Sequence, residues 1–561
     1  MVWAAGDRSV LWNVRVAMRD GVELAADVVL PPGPGPFPAV VTRTPYLRGK
    51  NLRPNGWMRL VDSGYAYVVQ DVRGRGDSDG EWVPYVDDAR DGYDTVEWVA
   101  EQSWCSGAVG MVGASYEGRV QWLAAKEHPP SLRCIAPMAI GVANDGPRRH
   151  HDTGIPAQYW LWWLSLVSGK TFQNPDAVSW THAWEHRPLR GLADAVGAGR
   201  DAWAQFVDGS WDRTDPVHLF TDDDWHAFDV PTLVTLGWWD DQPTIVNWER
   251  LHDSPAFEQS KLLIGAWDHA GNMQPRGNLG GVDVGETVID TIAYVERFLS
   301  RHLEPVQSRA ADDLPRCRIF RTGINRWESS DDWPSKDVED RMLYLRPTPD
   351  GLTAADSTGI LVDTRPAEAG SVSYASDPRN PVRLLAQPNA KSVEPPLDHH
   401  YLHRRTDVLA FVSEELPGSL RISGRPRFLG HVSTEAATID LIVTICDVFP
   451  DGRRIVVGGF PGWPGGIRLL HRNGVAPEAA PAGEVVPVDV GLQWMHHTFL
   501  PGHRIAVAIA SSWYPWLTVS GNTAGHWADE VDLEPTTVTI HTGKGHPSRI
   551  SLPVQREPAE S

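Results

Sequence analysis

Val109-Gly-Met-Val-Gly113-Ala114-Ser115-Tyr116-Glu117-Gly118-Arg119 is the stretch that decides the fold. A short apolar run reads as a buried strand, and Arg119 to His128, stopped by Pro129-Pro130, reads as a helix. Between them sits Gly-x-Ser-x-x-Gly. A strand that turns at once into a helix crowds its own backbone, so small residues are needed there. A serine in that turn is held clear of the sheet near a helix N-terminus. By itself the pattern also fits a glycine-rich turn with a surface serine.

Outward from this turn, strands alternate with helices. Ala39 to Val41, Tyr65 to Asp71 and Arg133 to Ile140 read as strands, and Asp87 to Gln102 as a helix with Tyr93, Val96, Trp98 and Val99 in register. Val10 to Leu30 reads as a hairpin turning at Asp20-Gly21. The alternation resumes with strand Pro231 to Leu236, a helix near Thr244 to His252, strand Lys261 to Ile264 and helix Thr287 to His302. A parallel α/β sheet follows from that order. Residues 149–226 interrupt it with helical periodicity and eight tryptophans: Trp160, Trp162, Trp163, Trp180, Trp184, Trp203, Trp211 and Trp225. After about residue 340 short strands separated by turns, such as Pro450-Asp451-Gly452 and Pro501-Gly502, predict a β-sandwich or jelly roll. The expected domains are 1–148 and 227–340 for the α/β core, 149–226 for a helical cap, and 341–561 for the jelly roll.

Composition narrows the function classes. The 561 residues carry 51 Lys+Arg against 72 Asp+Glu, a net charge of −21. That balance argues against a nucleic-acid backbone or an anionic membrane as partner. No run of 18 apolar residues and no signal-peptide pattern is seen, so the expected location is the cytoplasm. The four cysteines, Cys105, Cys134, Cys317 and Cys446, have no metal-ligand spacing and read as small buried hydrophobes. His399-His400 and His496-His497 lack carboxylate or cysteine partners at ligand spacing and read as surface or sheet residues. No metal or cofactor is expected. Arg73 and Arg75 read as braces that pair with nearby acids.

A nucleophilic hydroxyl needs a base, and the base needs an orienting group. In α/β-hydrolases these follow as Ser, acid, His, each in a loop after a strand. Strand Pro231 to Leu236 ends in Gly237-Trp238-Trp239-Asp240-Asp241, and strand Lys261 to Ile264 ends in Gly265-Ala266-Trp267-Asp268-His269. Asp240 and His269 therefore join Ser115 as candidates. Asp241 could replace Asp240, whereas Asp268, beside His269, is expected to face elsewhere.

The chain resembles the cocaine-esterase and X-Pro dipeptidyl-peptidase group of serine hydrolases, often called CocE/NonD. The resemblance rests on Arg43-Thr-Pro-Tyr46, Gln70-Asp-Val-Arg-Gly-Arg-Gly-Asp-Ser-Asp-Gly80, Asp91-Gly-Tyr-Asp-Thr-Val-Glu-Trp98, Gly113-Ala-Ser-Tyr-Glu-Gly118, Gly237-Trp-Trp-Asp240 and Gly265-Ala-Trp-Asp-His269. Asp447-Val-Phe-Pro-Asp-Gly452 and Pro501-Gly-His-Arg504 extend it into the β part. It implies an α/β-hydrolase core with a helical cap and a C-terminal jelly roll. It also implies Ser115 as nucleophile, Asp240 as acid and His269 as base. The Tyr46 hydroxyl and the Tyr116 amide would form the oxyanion hole. Aromatic residues would hold the acyl group, with Trp160, Trp162, Trp163 and Trp239 as candidates.

The expected activity is cleavage of a small-molecule carboxylic ester with a hydrophobic or aromatic acyl group, through an acyl-enzyme. The alternative is an α-amino acid ester hydrolase or acyltransferase, or an X-Pro-type aminopeptidase acting on an amide. In amino-acid ester hydrolases acids that bind the substrate ammonium follow closely after the triad acid. Here Gln242 and Pro243 stand in those places, which lowers that reading; Asp241 and Glu117 keep it open. A binding protein built on an inert core is the third reading. A homodimer is left open.

Overall fold

The computed structural model describes residues 8–54, 56–142, 157–178, 180, 183–197, 199–208, 220–240, 243–304, 314–348, 357–384, 398–457, 465–469, 482–514, 517–523 and 526–556. Its first layer is a ten-stranded sheet of β1 (Ser9–Ala17), β2 (Glu23–Leu30), β3 (Phe37–Thr44), β4 (Ala66–Asp71), β5 (Cys105–Ala114), β6 (Leu132–Met138), β7 (Leu233–Gly237), β8 (Lys261–Gly265), β9 (Cys317–Arg321) and β10 (Arg326–Ser330). The strand order is β1-β2-β4-β3-β5-β6-β7-β8-β9-β10. Strands from β4 to β9 in that order run parallel, and antiparallel pairs close both edges. The β9–β10 hairpin lies beyond the alternation legible in the sequence.

Both faces of the sheet are covered, which is why β4 (Ala-Tyr-Val-Val-Gln-Asp) is buried throughout. Side chains alternate across each strand. Ala39 and Val41 pack with Val96 and Val99 of α1 (Asp88–Ala100) and with Val120 and Leu123 of α2 (Tyr116–Lys126). Val40, Val69 and Val112 point the other way. They meet Val295, Phe298 and Leu299 of a helix spanning Thr291–Leu303. Asp290 caps that helix by accepting the Ala293 amide at 3.0 Å.

Between β6 and β7 the described residues include α3 (Ala157–Val167) and the shorter helices Leu192–Val196, Arg200–Val207 and Asp222–Ala227. Together they form the cap. The C-terminal part is all-β, with fourteen strands from Val338 to Gln555. Its core holds Phe411, Ile422, Phe428, Val443, Ile445, Val507 and Ile540.

The jelly roll braces both other parts. The Tyr514 hydroxyl donates to Gln158 Oε1 at 2.9 Å, and the Arg190 amide donates to the Ala528 carbonyl at 2.8 Å. The Thr322 amide, just past β9, donates to the His496 carbonyl at 3.0 Å. Of the two placements expected of these pairs, the sheet one holds for His496 and His497, which lie buried on a strand; His399 is buried as well rather than on the surface. All four cysteines are buried and free. No helix of the described residues is long and apolar enough to cross a membrane. Among them no group of three or more His, Cys, Asp or Glu could hold a metal ion.

Candidate active site

Ser115 sits between the end of β5 and the start of α2 with φ 60, a left-handed conformation rare for a non-glycine residue. The turn is enforced by its neighbours. Its amide donates to the Met138 carbonyl at 2.9 Å, and its carbonyl accepts from Gly118 and Arg119. Gly113 has φ 144, and a Cβ there would stand 2.5 Å from Glu117 Cβ. A Cβ on Gly118 would stand 2.7 Å from Ile140 Cγ2. Both glycines are therefore dictated by close approach. Ser115 keeps partial solvent contact, while Tyr116 behind it is buried. As the first helical residue, Tyr116 has an amide with no intrahelical acceptor.

His269 and Asp240 meet from the loops after β8 and β7. His269 Nδ1 lies 2.8 Å from Asp240 Oδ1. Asp240 is 1% exposed, whereas the His269 side chain is 43% exposed. The second Asp240 oxygen accepts from Asn272 Nδ2 at 2.5 Å. Sequence reasoning misses Asn272, whose signal is no more than a polar residue one short turn after the histidine. Asp268 faces away, accepting from the Gly271 amide at 2.7 Å and pairing with Arg276.

Tyr46 lies two residues past β3. Its hydroxyl accepts from Trp163 Nε1 at 3.1 Å and lies beside the Ser115 side chain. Burial pushes the hydroxyl up to about 12, so it is a neutral donor at pH 7. The Tyr46 amide donates to Thr44 Oγ1 at 3.0 Å.

Two residues are corrected by their surroundings. Glu117 is buried and accepts from Thr44 and, at 2.8 Å, from Asn51 Nδ2. Burial holds its carboxyl above the usual carboxylate range. It supports the Thr44–Tyr46 turn, with its carboxylate taken up by Asn51. Arg75 is fully buried and braces backbone rather than acids: Nε donates to the Pro45 carbonyl at 2.9 Å, and Nη1 donates to the Gly169 carbonyl. Arg73 does pair with acids, Asp20 and Asp91.

The tryptophan candidates separate. Trp163 joins Trp82, Trp160 and Tyr116 in an aromatic group with centroid distances of 5.8, 5.7 and 6.2 Å. Trp162 is buried against Tyr159. Trp239 is corrected to the jelly-roll seam: it is buried, and its indole donates to the Val456 carbonyl at 3.3 Å. Asp241 and Gln242 lie outside the described residues, as does the side chain of Pro243.

Residues 20–271 match the X-Pro dipeptidyl-peptidase (S15 family) model, and residues 309–551 match the X-Pro dipeptidyl-peptidase C-terminal non-catalytic domain. Cocaine esterase of Rhodococcus sp. is 31% identical over 98% of this chain and 99% of its own. An α-amino acid ester hydrolase structure is 25% identical with a TM-score of 0.84, covering 99% of this chain and 98% of that one. An aminopeptidase from a marine sediment archaeon, at 24% identity, shares the fold with a TM-score of 0.82 over 98% of this chain and 97% of its own. With the α/β sheet, the all-β C-terminal domain and a relative matched end to end, the chain belongs to the S15 family, as a carboxylic ester hydrolase of its CocE/NonD group of serine hydrolases.

Proposed function

We propose that this hydrolase cleaves esters of small hydrophobic or aromatic acids through a Ser115–His269–Asp240 triad and a covalent acyl-enzyme. The observation that carries the reading is Ser115 itself. It is strained at the β5–α2 turn, with the neutral Tyr46 hydroxyl beside its side chain.

In this mechanism His269 takes the Ser115 proton as Oγ attacks the ester carbonyl. Asp240, buried and held by Asn272, fixes the imidazole and stabilises its charged form. The Tyr46 hydroxyl and the Tyr116 amide hold the tetrahedral oxyanion, each such donor being worth about 2.7–4 kcal/mol. His269 returns the proton to the departing alcohol. Water then attacks the acyl-enzyme by the same route and releases the acid.

The aromatic group of Trp82, Trp160 and Trp163 beside Tyr116 supports a flat apolar acyl group. Cleavage of amino-acid esters or amides is the second reading, favoured by the likeness to the α-amino acid ester hydrolase. The engagement of Glu117 with Asn51 and Thr44 weighs against it.

The test is turnover of p-nitrophenyl acetate and p-nitrophenyl benzoate beside an amino-acid p-nitroanilide, in wild type and Ser115→Ala. Ester turnover lost in Ser115→Ala, without anilide cleavage, is the expected result. Anilide cleavage moves the assignment to the second reading. Full activity in Ser115→Ala overturns the nucleophile.

A further inference from the structure

Trp163 stands on α3 of the cap, and its contact with Tyr46 fixes where a proton goes. An indole N–H only donates. At 3.1 Å the Tyr46 oxygen must accept that bond. A phenol has one proton, and it must leave the oxygen on another side. The Ser115 side chain lies beside this hydroxyl.

We propose that Trp163 is a positioning residue of the oxyanion hole, its indole N–H aiming the single Tyr46 proton at the carbonyl oxygen attacked by Ser115. The inference rests on the reading of Tyr46 as an oxyanion donor. Without the indole, the hydroxyl can rotate and donate elsewhere, and part of its orientation is lost before the reaction begins. Accepting a hydrogen bond also polarises the O–H and makes it a stronger donor.

The lock is itself held. Trp163 is 6% exposed, lies nearly parallel to Tyr116 at 6.2 Å and meets Trp160 edge-on at 5.7 Å. One ring thus contacts the hydroxyl of one oxyanion donor and the side chain of the residue that supplies the other. The chain leaving α3 is stitched to the Tyr46 loop. Arg75 bridges the Gly169 and Pro45 carbonyls. The Gly76 amide donates to the Lys170 carbonyl at 2.9 Å, and Lys170 Nζ donates to the Ser78 carbonyl at 2.7 Å. Docking of the cap therefore completes the oxyanion hole as well as enclosing the acyl group.

Trp163→Phe keeps an aromatic wall and deletes the donor. With p-nitrophenyl acetate we expect kcat to fall about tenfold, the worth of one hydrogen bond, with KM within about twofold. The rate of Ser115 labelling by a fluorophosphonate should fall by a similar factor. Added to Tyr46→Phe, the substitution should cost nothing further, because both act through one hydroxyl. Replacement of Trp163 by 3-benzothienylalanine keeps the bicyclic shape without the N–H; it gives the same readout if the phenylalanine variant does not fold. Wild-type kcat in the donor-free variants, an effect confined to KM, or full additivity with Tyr46→Phe overturns the proposal. A silent Tyr46→Phe overturns the oxyanion reading beneath it, a result distinguishable from the first three.

Discussion

Two His–carboxylate pairs in this molecule have the same length and opposite surroundings. His269 Nδ1 lies 2.8 Å from Asp240, and His503 Nδ1 lies 2.8 Å from Asp447. The first histidine is 43% exposed and stands on a loop at the end of a sheet strand, in the sheet that also carries Ser115 at its strained turn. The second is 8% exposed, packs on Phe449 and sits inside the jelly roll, where Asp447 also approaches His497 at 3.4 Å. A carboxylate can orient an imidazole anywhere. Acyl transfer needs in addition a hydroxyl, an oxyanion site and room for a substrate, and the first pair shares its sheet with Ser115.

The largest effect expected from breaking this comparison is at Ser115. Ser115→Ala should lower ester turnover by roughly 10³- to 10⁶-fold and abolish fluorophosphonate labelling, with Tm nearly unchanged. Neutralising the acids should separate the two pairs. Asp240→Asn should cost about 10⁴-fold in kcat, as loss of a triad carboxylate does. Asp447→Asn should leave kcat within about twofold and lower the Tm by several degrees, since it weakens a buried pair. A kcat loss at Asp447 as large as at Asp240 would erase the distinction. Tyr46→Phe should cost about 10²-fold in kcat, read from p-nitrophenyl acetate kinetics.

A smaller effect concerns acid. Burial lowers His496 to about 4 and His399 to about 3. Both are neutral when folded and titrate near 6.5 when unfolded, so the unfolded chain binds more protons between these values. Their stabilisation is complete above about pH 6.5 and is lost as pH falls toward 4 and then 3. Scanning calorimetry at pH 7.5, 6, 5 and 4 should show Tm falling throughout, and His496→Gln should flatten part of that slope. A flat Tm across this range would contradict the burial argument. The smallest effect is at Trp239: Trp239→Phe should leave ester kinetics unchanged and cost about 1 kcal/mol of stability, the worth of its bond to Val456.

Local chemistry makes much of this legible. Gly113, Ser115 and Gly118 announce a strand-to-helix turn because only small residues tolerate its close approaches. Asp240 and His269 stand where strands end, so chain order alone aligns their loops with Ser115. Which polar group faces which is not written in that order. Glu117 looks available to a substrate, but the fold closes Asn51 and Thr44 over it. Trp239 looks like a pocket residue beside Asp240, but the jelly roll claims its indole at Val456, 217 residues away in the chain. Asn272 and Trp163 acquire their roles only through contacts with Asp240 and Tyr46.

The division has a physical reason. Hydrophobic period, glycine at crowded turns and residue type at strand ends are set by interactions a few residues long, and these determined the layered α/β core, the all-β C-terminal part and the candidates Ser115, Asp240 and His269. The direction of the Tyr46 hydroxyl, the burial of Glu117 and the difference between the two His–carboxylate pairs depend on groups brought together from distant segments. Hydrogen bonds act over about 3 Å, and which atoms come that close was decided only when the cap, core and jelly roll packed together.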